Sequence, residues 1–220
     1  MIVIFDLDDT LFPRKNFVNN GLKNVAKFIS KKNTKLKSKK VYLDLKKIYA
    51  NSNIQKTFNY FLKKNNITNI SENKCVSIYR YGKNDIKLYP QALKLLRKYN
   101  KKCYLISDGN KCVQRYKIKK LKIRKFFKKI LLTNEYGIKF QKPSLYCFKI
   151  IKKIEKCNFE NMVYIGDNPK KDFVNCNKIG IKTIRFKKGE YKDLVLKYPY
   201  EAKYQISNLK NLKKIFALFS

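Results

Sequence analysis

Apolar positions follow two rhythms along this chain. Ile2-Val3-Ile4-Phe5 is an unbroken run of β-branched and aromatic residues, the pattern of a strand buried on both faces of a parallel sheet. From residue 13 to about residue 86 the spacing turns helical. Phe17, Val18, Leu22, Val25, Ala26, Phe28 and Ile29 recur on one helical face, and residues 41–50 and 54–62 predict two more amphipathic helices. Residues 31–40 form a basic, polar connector, and Gly82-Lys83-Asn84 is a turn signal.

From Leu88 onward short apolar runs alternate with helical segments. Pro90 begins a helix carrying Ala92, Leu93, Leu95, Leu96 and Tyr99. Residues 103–106, 130–132, 162–165 and 181–186 predict four further strands. A basic helical segment follows the first of these. Lys142-Pro143-Ser144 is expected to open a helix with Leu145, Phe148, Ile151 and Ile154 on one face, and residues 209–218 a closing helix. Strand–helix alternation implies a parallel sheet with right-handed crossovers. The expectation is an α/β, Rossmann-like three-layer core made of residues 1–12 and 88–220. Residues 13–87 are expected to form an inserted helical subdomain.

Composition narrows the chemistry. The 220 residues contain no histidine, which removes every imidazole base or nucleophile-activating pair and leaves acid–base work to carboxylates, Lys or Tyr. Six cysteines form no C-x-x-C pair; they argue against zinc and read as small buried hydrophobes in a reducing compartment. No apolar run approaches a bilayer span and the chain opens directly into its first strand, so a soluble, cytoplasmic protein is expected. The charge is extreme: 53 Lys+Arg against 15 Asp+Glu, a formal net +38. Lysines are spread along the whole chain together with Asn, Ile, Tyr and Phe, as very AT-rich coding writes proteins. A specific nucleic-acid partner is therefore not expected, although such a field draws anionic substrates at low salt.

Against this basic background the acids stand out. Asp6, Asp8 and Asp9 follow the first strand, and Asp108, Asp167 and Asp172 follow two others. If the strand persisted to residue 8, Asp6 and Asp8 would share a face. Ligands of parallel α/β sheets sit beyond the carboxyl ends of the strands. Two carboxylates there repel unless a cation lies between them, most simply Mg²⁺. Ser107 offers a hydroxyl and following N–H groups at a helix start, Lys142 sits just before Pro143, and Gly166-Asp167 through Asp172 places an acid at each end of a short loop. Singly, each has a plain structural reading: an acidic turn, an N-cap, a solvated lysine, an Asp-Asn-Pro turn.

In this order, however, the four clusters resemble the haloacid dehalogenase-like hydrolase superfamily. The matching motifs are Asp6-Leu7-Asp8-Asp9-Thr10-Leu11-Phe12, Ile106-Ser107-Asp108-Gly109, Lys142-Pro143 and Ile165-Gly166-Asp167 through Asp172. The core resemblance covers residues 1–12 and about 88–207, and residues 13–87 fall where that superfamily carries its helical C1 cap. The resemblance implies a Mg²⁺-dependent phosphatase acting on a small phosphorylated metabolite, a sugar phosphate or a nucleoside monophosphate. Asp6 would be the nucleophile and Asp8 the proton carrier. Thr10, Ser107, Asp108 and Lys142 would surround the phosphoryl group. Asp6, Asp8 through its main-chain carbonyl, and Asp167 would hold Mg²⁺, with Asp172 holding the loop or a metal-bound water. Asp9 is expected only to hydrogen-bond locally. Dehalogenases of this superfamily lack the second acid of the first motif, so Asp8 points to phosphate-ester chemistry. A phosphomutase, a nucleic-acid end-processing phosphatase and a phospho-accepting signalling domain stand as alternatives. Gly189-Glu190-Tyr191 is loosely similar to a segment after the fifth strand of several such phosphatases.

Overall fold

A computed structural model describes residues 1–219. The chain divides into two compact units, one formed by Met1–Arg14 with Ile86–Ser220 and the other by Lys15–Asp85. In the first unit six strands form one all-parallel sheet: β1 Ile2–Phe5, β2 Cys103–Ser107, β3 Phe127–Leu132, β4 Met162–Gly166, β5 Lys182–Phe186 and β6 Tyr204–Ile206, in the spatial order β3-β2-β1-β4-β5-β6. The first strand thus becomes the middle of the sheet, with Val3 opposite both Cys103 and Val163. That explains its uninterrupted apolar sequence, because a central strand has no solvent face.

Four helices span α1 Arg14–Lys32, α2 Ser38–Tyr49, α3 Ile54–Lys64 and α4 Glu72–Tyr81, and five more span α5 Pro90–Lys98, α6 Lys111–Leu121, α7 Tyr146–Glu155, α8 Val174–Lys178 and α9 Leu212–Ala217. Side chains of α7 and α8 (Cys147, Phe148, Ile151, Cys176) share one buried cluster with Ile4, Tyr104, Ile106, Leu131, Met162 and Tyr164 of the strands. The α6 start is fixed by Asn110, whose side chain accepts hydrogen bonds from Cys112 N and Val113 N at 3.0 and 3.2 Å. Such a cap is worth about 1 kcal/mol.

The Lys15–Asp85 unit contains most of α1 with α2, α3 and α4. Its core is aromatic: Tyr79 meets the edges of Phe17 and Phe58 at centroid distances of 5.7 and 6.0 Å. Asn53 and Ser71 cap α3 and α4 by accepting from Lys56 N and Lys74 N.

Several expectations need correction. β6 was not expected, because Tyr204-Gln205-Ile206 is short and carries an exposed glutamine. The third strand begins earlier, at Phe127. Residues 142–145 are not helical, and α7 starts only at Tyr146. The closing helix is shortened by a 3₁₀ turn over Leu209–Asn211. Of the cysteines, all free, Cys112 is exposed and Cys157 only partly covered. No helix among the described residues is long and apolar enough to cross a membrane.

Candidate active site

β1 ends at Phe5, although Asp6 N still donates to Ile165 O across the sheet at 2.9 Å. The chain then turns: Leu11 N donates to Leu7 O, and Asp9 takes a left-handed conformation with φ of 55°. A residue in a turn no longer alternates as a strand residue does. The Asp6 and Asp8 carboxylates bind separate lysines, Lys142 and Lys117.

Asp6 lies buried at the end of the central strand. Lys142 Nζ, also buried, donates to Asp6 Oδ1 at 2.6 Å, pairs with Asp172 Oδ1 at 2.8 Å and donates to Tyr164 Oη at 2.9 Å. Tyr164 Oη in turn donates to Asp172 Oδ1 at 3.1 Å. The other Asp172 oxygen accepts from Asp167 N and Asn168 N at 3.2 and 2.9 Å, pinning the loop after β4. This close approach requires Gly166, since a Cβ there would lie 2.5 Å from Asp172 Oδ2. One buried ammonium thus answers two buried carboxylates, and removing Lys142 would strand their charge at a cost of about 3–5 kcal/mol. Burial pushes the Asp6 carboxyl up to about 7; Lys142 opposes the rise, and Asp172 adds to it. Lys142 is held well above its ordinary value: burial opposes this, but Asp172 and Asp6 outweigh it.

Asp8 has a different setting. Lys117 Nζ reaches both of its oxygens, at 2.7 and 2.9 Å, and Gln114 Nε2 donates to Oδ2 at 2.8 Å. Burial works to raise its pKa, but the Lys117 ammonium and these hydrogen bonds hold the carboxyl below its ordinary value. The same Gln114 nitrogen donates to Ser107 Oγ at 2.6 Å. Ser107 is buried at the end of β2.

Asp9 reaches beyond the local bonding expected of it. It accepts from Arg14 N at 2.9 Å and from Glu190 N at 3.4 Å, 181 residues away. Gly189, with φ of 74°, lies so close that any side chain would overlap Asp9, which accounts physically for the Gly189-Glu190 pattern. Buried Arg185 fixes this loop by donating to Glu201 and to Tyr191 O. Asp108 accepts from Thr133 Oγ1, Lys142 N and Lys171 Nζ at 2.9, 3.1 and 2.7 Å. Its carboxylate ties three segments together, so it would face a phosphate only through its main-chain N–H. Thr10 is buried, and its hydroxyl has no hydrogen-bond partner among the described residues.

Asp167 is distinctive. Its side chain accepts no hydrogen bond from any described residue, while burial, reinforced by Asp172 and Asp6, pushes its carboxyl up to about 9. A buried, undonated carboxylate near a second one suits a hard cation. Among the described residues no three Cys, Asp or Glu side chains form a metal cage; Mg²⁺ does not need one, since it binds one or two carboxylates with waters and phosphate oxygens.

Sequence reading singled out Asp6, Asp8, Thr10, Ser107, Asp108, Lys142, Asp167 and Asp172. It missed Tyr164, Gln114, Lys117, Thr133 and Lys171. Tyr164 carried a faint signal, a hydroxyl inside an apolar strand. Lys117 and Lys171 carried none among so many lysines.

A family model for haloacid dehalogenase-like hydrolases matches residues 3–186. Glyceraldehyde 3-phosphate phosphatase of Pyrococcus furiosus is 28% identical over 97% of this chain and 92% of its own length, and that of Methanocaldococcus jannaschii is 28% identical over 87% of each. A HAD-family hydrolase of Bacillus subtilis, solved bound to magnesium, superposes with a TM-score of 0.65 at 18% identity, covering 97% of both chains. With the family model spanning most of its length and the parallel α/β fold in agreement, this chain belongs to the haloacid dehalogenase-like hydrolase family, and it is an enzyme of that family.

Proposed function

We propose that this enzyme is a phosphatase that hydrolyses a small sugar phosphate with Mg²⁺, in two steps, through an aspartyl-phosphate on Asp6. The observation that carries this reading is the buried Asp6 carboxylate at the end of the central strand, one oxygen held 2.6 Å from Lys142 Nζ. That contact orients the carboxylate and supplies positive charge where phosphoryl charge gathers.

In the first step an Asp6 oxygen bonds to phosphorus and the ester oxygen leaves, taking a proton from Asp8. In the second step water bonds to phosphorus and gives its proton to Asp8, and the bond to Asp6 breaks, restoring the carboxylate. Beside Lys117, Asp8 rests in its base form, the form the second step uses; the first step needs it to have taken up a proton. Lys142, Ser107, Thr10 and the N–H of Asp108 bind phosphoryl oxygens. Asp6, Asp167 and the main-chain carbonyl of Asp8 would hold Mg²⁺, which when bound neutralises charge on the transferring group. Asp172 works through Lys142 and the loop N–H groups. The helical unit, inserted in the chain where the family places its cap, would choose the substrate.

The shared name of the archaeal relatives favours a triose phosphate over a nucleotide. The test is phosphate release from glyceraldehyde 3-phosphate, other sugar phosphates and nucleoside monophosphates, with Mg²⁺ and with EDTA. The triose phosphate should rank among the best substrates, and EDTA should abolish turnover until Mg²⁺ is restored. Full activity in metal-free buffer, or an isomerised ester without phosphate release, would contradict the reading.

A further inference from the structure

Asp8 lies past the end of β1, where no strand geometry sets its direction. Its carboxylate is nevertheless held, and both side chains that hold it come from α6. Lys117 Nζ spans the two oxygens at 2.7 and 2.9 Å, and Gln114 Nε2 donates to one of them at 2.8 Å. Gln114 is only 2% exposed and Lys117 5%, so neither is a mobile surface group. Positions three apart on a helix lie on one face, which is how one helix presents both.

Donor chemistry fixes the orientation of Gln114. An ionised carboxylate only accepts, so the carboxamide must turn its NH₂ toward Asp8. Its second hydrogen then faces Ser107 Oγ at 2.6 Å. A hydroxyl that accepts there keeps its own hydrogen to donate elsewhere, and a phosphoryl oxygen is an acceptor.

We propose that Gln114 and Lys117 are positioning residues of the reaction: Lys117 aims the Asp8 carboxylate, and Gln114 couples that carboxylate to Ser107 while setting the Ser107 hydroxyl as a donor to the substrate phosphoryl group. The proposal rests on the reading of Asp8 as the proton carrier. It accounts for a glutamine and a lysine buried beside the first motif that the four family motifs leave unassigned. It also separates the two residues. Lys117 spans both Asp8 oxygens, so its loss should fall on turnover. Gln114 contacts Asp8 and Ser107, so its loss should fall on turnover and on substrate binding.

The test compares wild type with Lys117→Met, Gln114→Met, Asp8→Asn and the two double variants carrying Asp8→Asn. Each is assayed on glyceraldehyde 3-phosphate and on nitrophenyl phosphate, with folding checked by thermal melting. Nitrophenolate leaves without a proton, so single-turnover transfer from that ester is insensitive to Asp8. Lys117→Met is expected to lower kcat on the sugar ester by about 10- to 100-fold, to leave KM and single-turnover nitrophenol release within about threefold, and to cause no further loss in the Asp8→Asn background. Gln114→Met is expected to raise KM on both esters in addition to lowering kcat on the sugar ester. Should Lys117→Met not fold, Lys117→Gln replaces it with the same expected pattern, and Lys117→Arg, which retains the cation, should recover part of the kcat. Equal losses of kcat on both esters, or Lys117→Met losses that multiply with Asp8→Asn, would overturn the proposal and mark the two side chains as structural. If instead Asp8→Asn itself matches wild type on the sugar ester, the reading of Asp8 fails first, and the role of its two neighbours fails with it.

Discussion

The two units of this chain treat polar groups in opposite ways. Among the described residues of the Lys15–Asp85 unit, the buried polar side chains are Thr57 and Asn84, and no charged side chain is buried. The other unit buries Asp6, Asp9, Lys117, Lys142, Asp167, Asp172, Arg185 and Glu201. Burying a charge is costly unless it is paired, and even paired charges give little net stability. The helical unit therefore behaves as an ordinary packed core, held by Phe17, Phe58, Phe61 and Tyr79. The sheet unit carries a concentration of buried charge, most of it paired, that folding alone does not require. Apart from the Arg185–Glu201 pair, these charges lie at, or pair with acids at, the carboxyl ends of β1 and β4, where ligands of a parallel sheet bind.

This contrast can be broken most severely at Asp6. Asp6→Asn cannot form an acyl-phosphate, and phosphate release should fall by about 10³-fold or more; a variant retaining a tenth of wild-type turnover would remove the chemical reason for the buried cluster. Asp8→Asn should be selective. Phosphoryl transfer from a sugar ester should fall by about 10²–10⁴-fold and that from nitrophenyl phosphate far less. With the nitrophenyl ester a burst of nitrophenol should precede a slow steady state, seen by rapid mixing.

Asp172→Asn leaves Lys142 answering Asp6 alone and weakens the grip on the loop after β4. Unfolding should become easier by about 1–3 kcal/mol through the weakened hydrogen bonds, read from denaturant melts, and activity should fall with it; an unchanged midpoint would show that Asp172 does not hold this loop. In the helical unit, Phe58→Ala should cost about 3–5 kcal/mol through its cavity. Folded molecules of that variant should nevertheless release nitrophenol in a single turnover within about threefold of wild type. A loss as large as that of Asp8→Asn would mean that the packed unit shares in the chemistry.

Legibility in the sequence follows the same division. β1, β2 and β4 were readable because central parallel strands are continuous apolar runs. β6 was not, because an edge strand of three residues with an exposed glutamine has no such pattern. Asp6, Ser107 and Asp167 were readable because each stands where a buried run stops, and Lys142 because it stands just before Pro143. The separate lysine partners of Asp6 and Asp8 were not, since alternation holds only while the strand lasts and β1 stops at Phe5. Gln114, Lys117 and Lys171 act across 63 to 109 residues of sequence, and in a chain with 53 basic residues nothing local marks the lysine that folds inward.

The most direct measurement is on the phosphoenzyme itself. Wild-type protein mixed with radiolabelled substrate and quenched in acid within milliseconds should carry label that is released by hydroxylamine, as an acyl-phosphate is. Peptide mapping of the quenched protein should place the phosphoryl group on Asp6. Label on Asp8 or Asp9, or sustained turnover with no trapped label under conditions where Asp8→Asn also accumulates none, would contradict Asp6 as the nucleophile at the centre of this site.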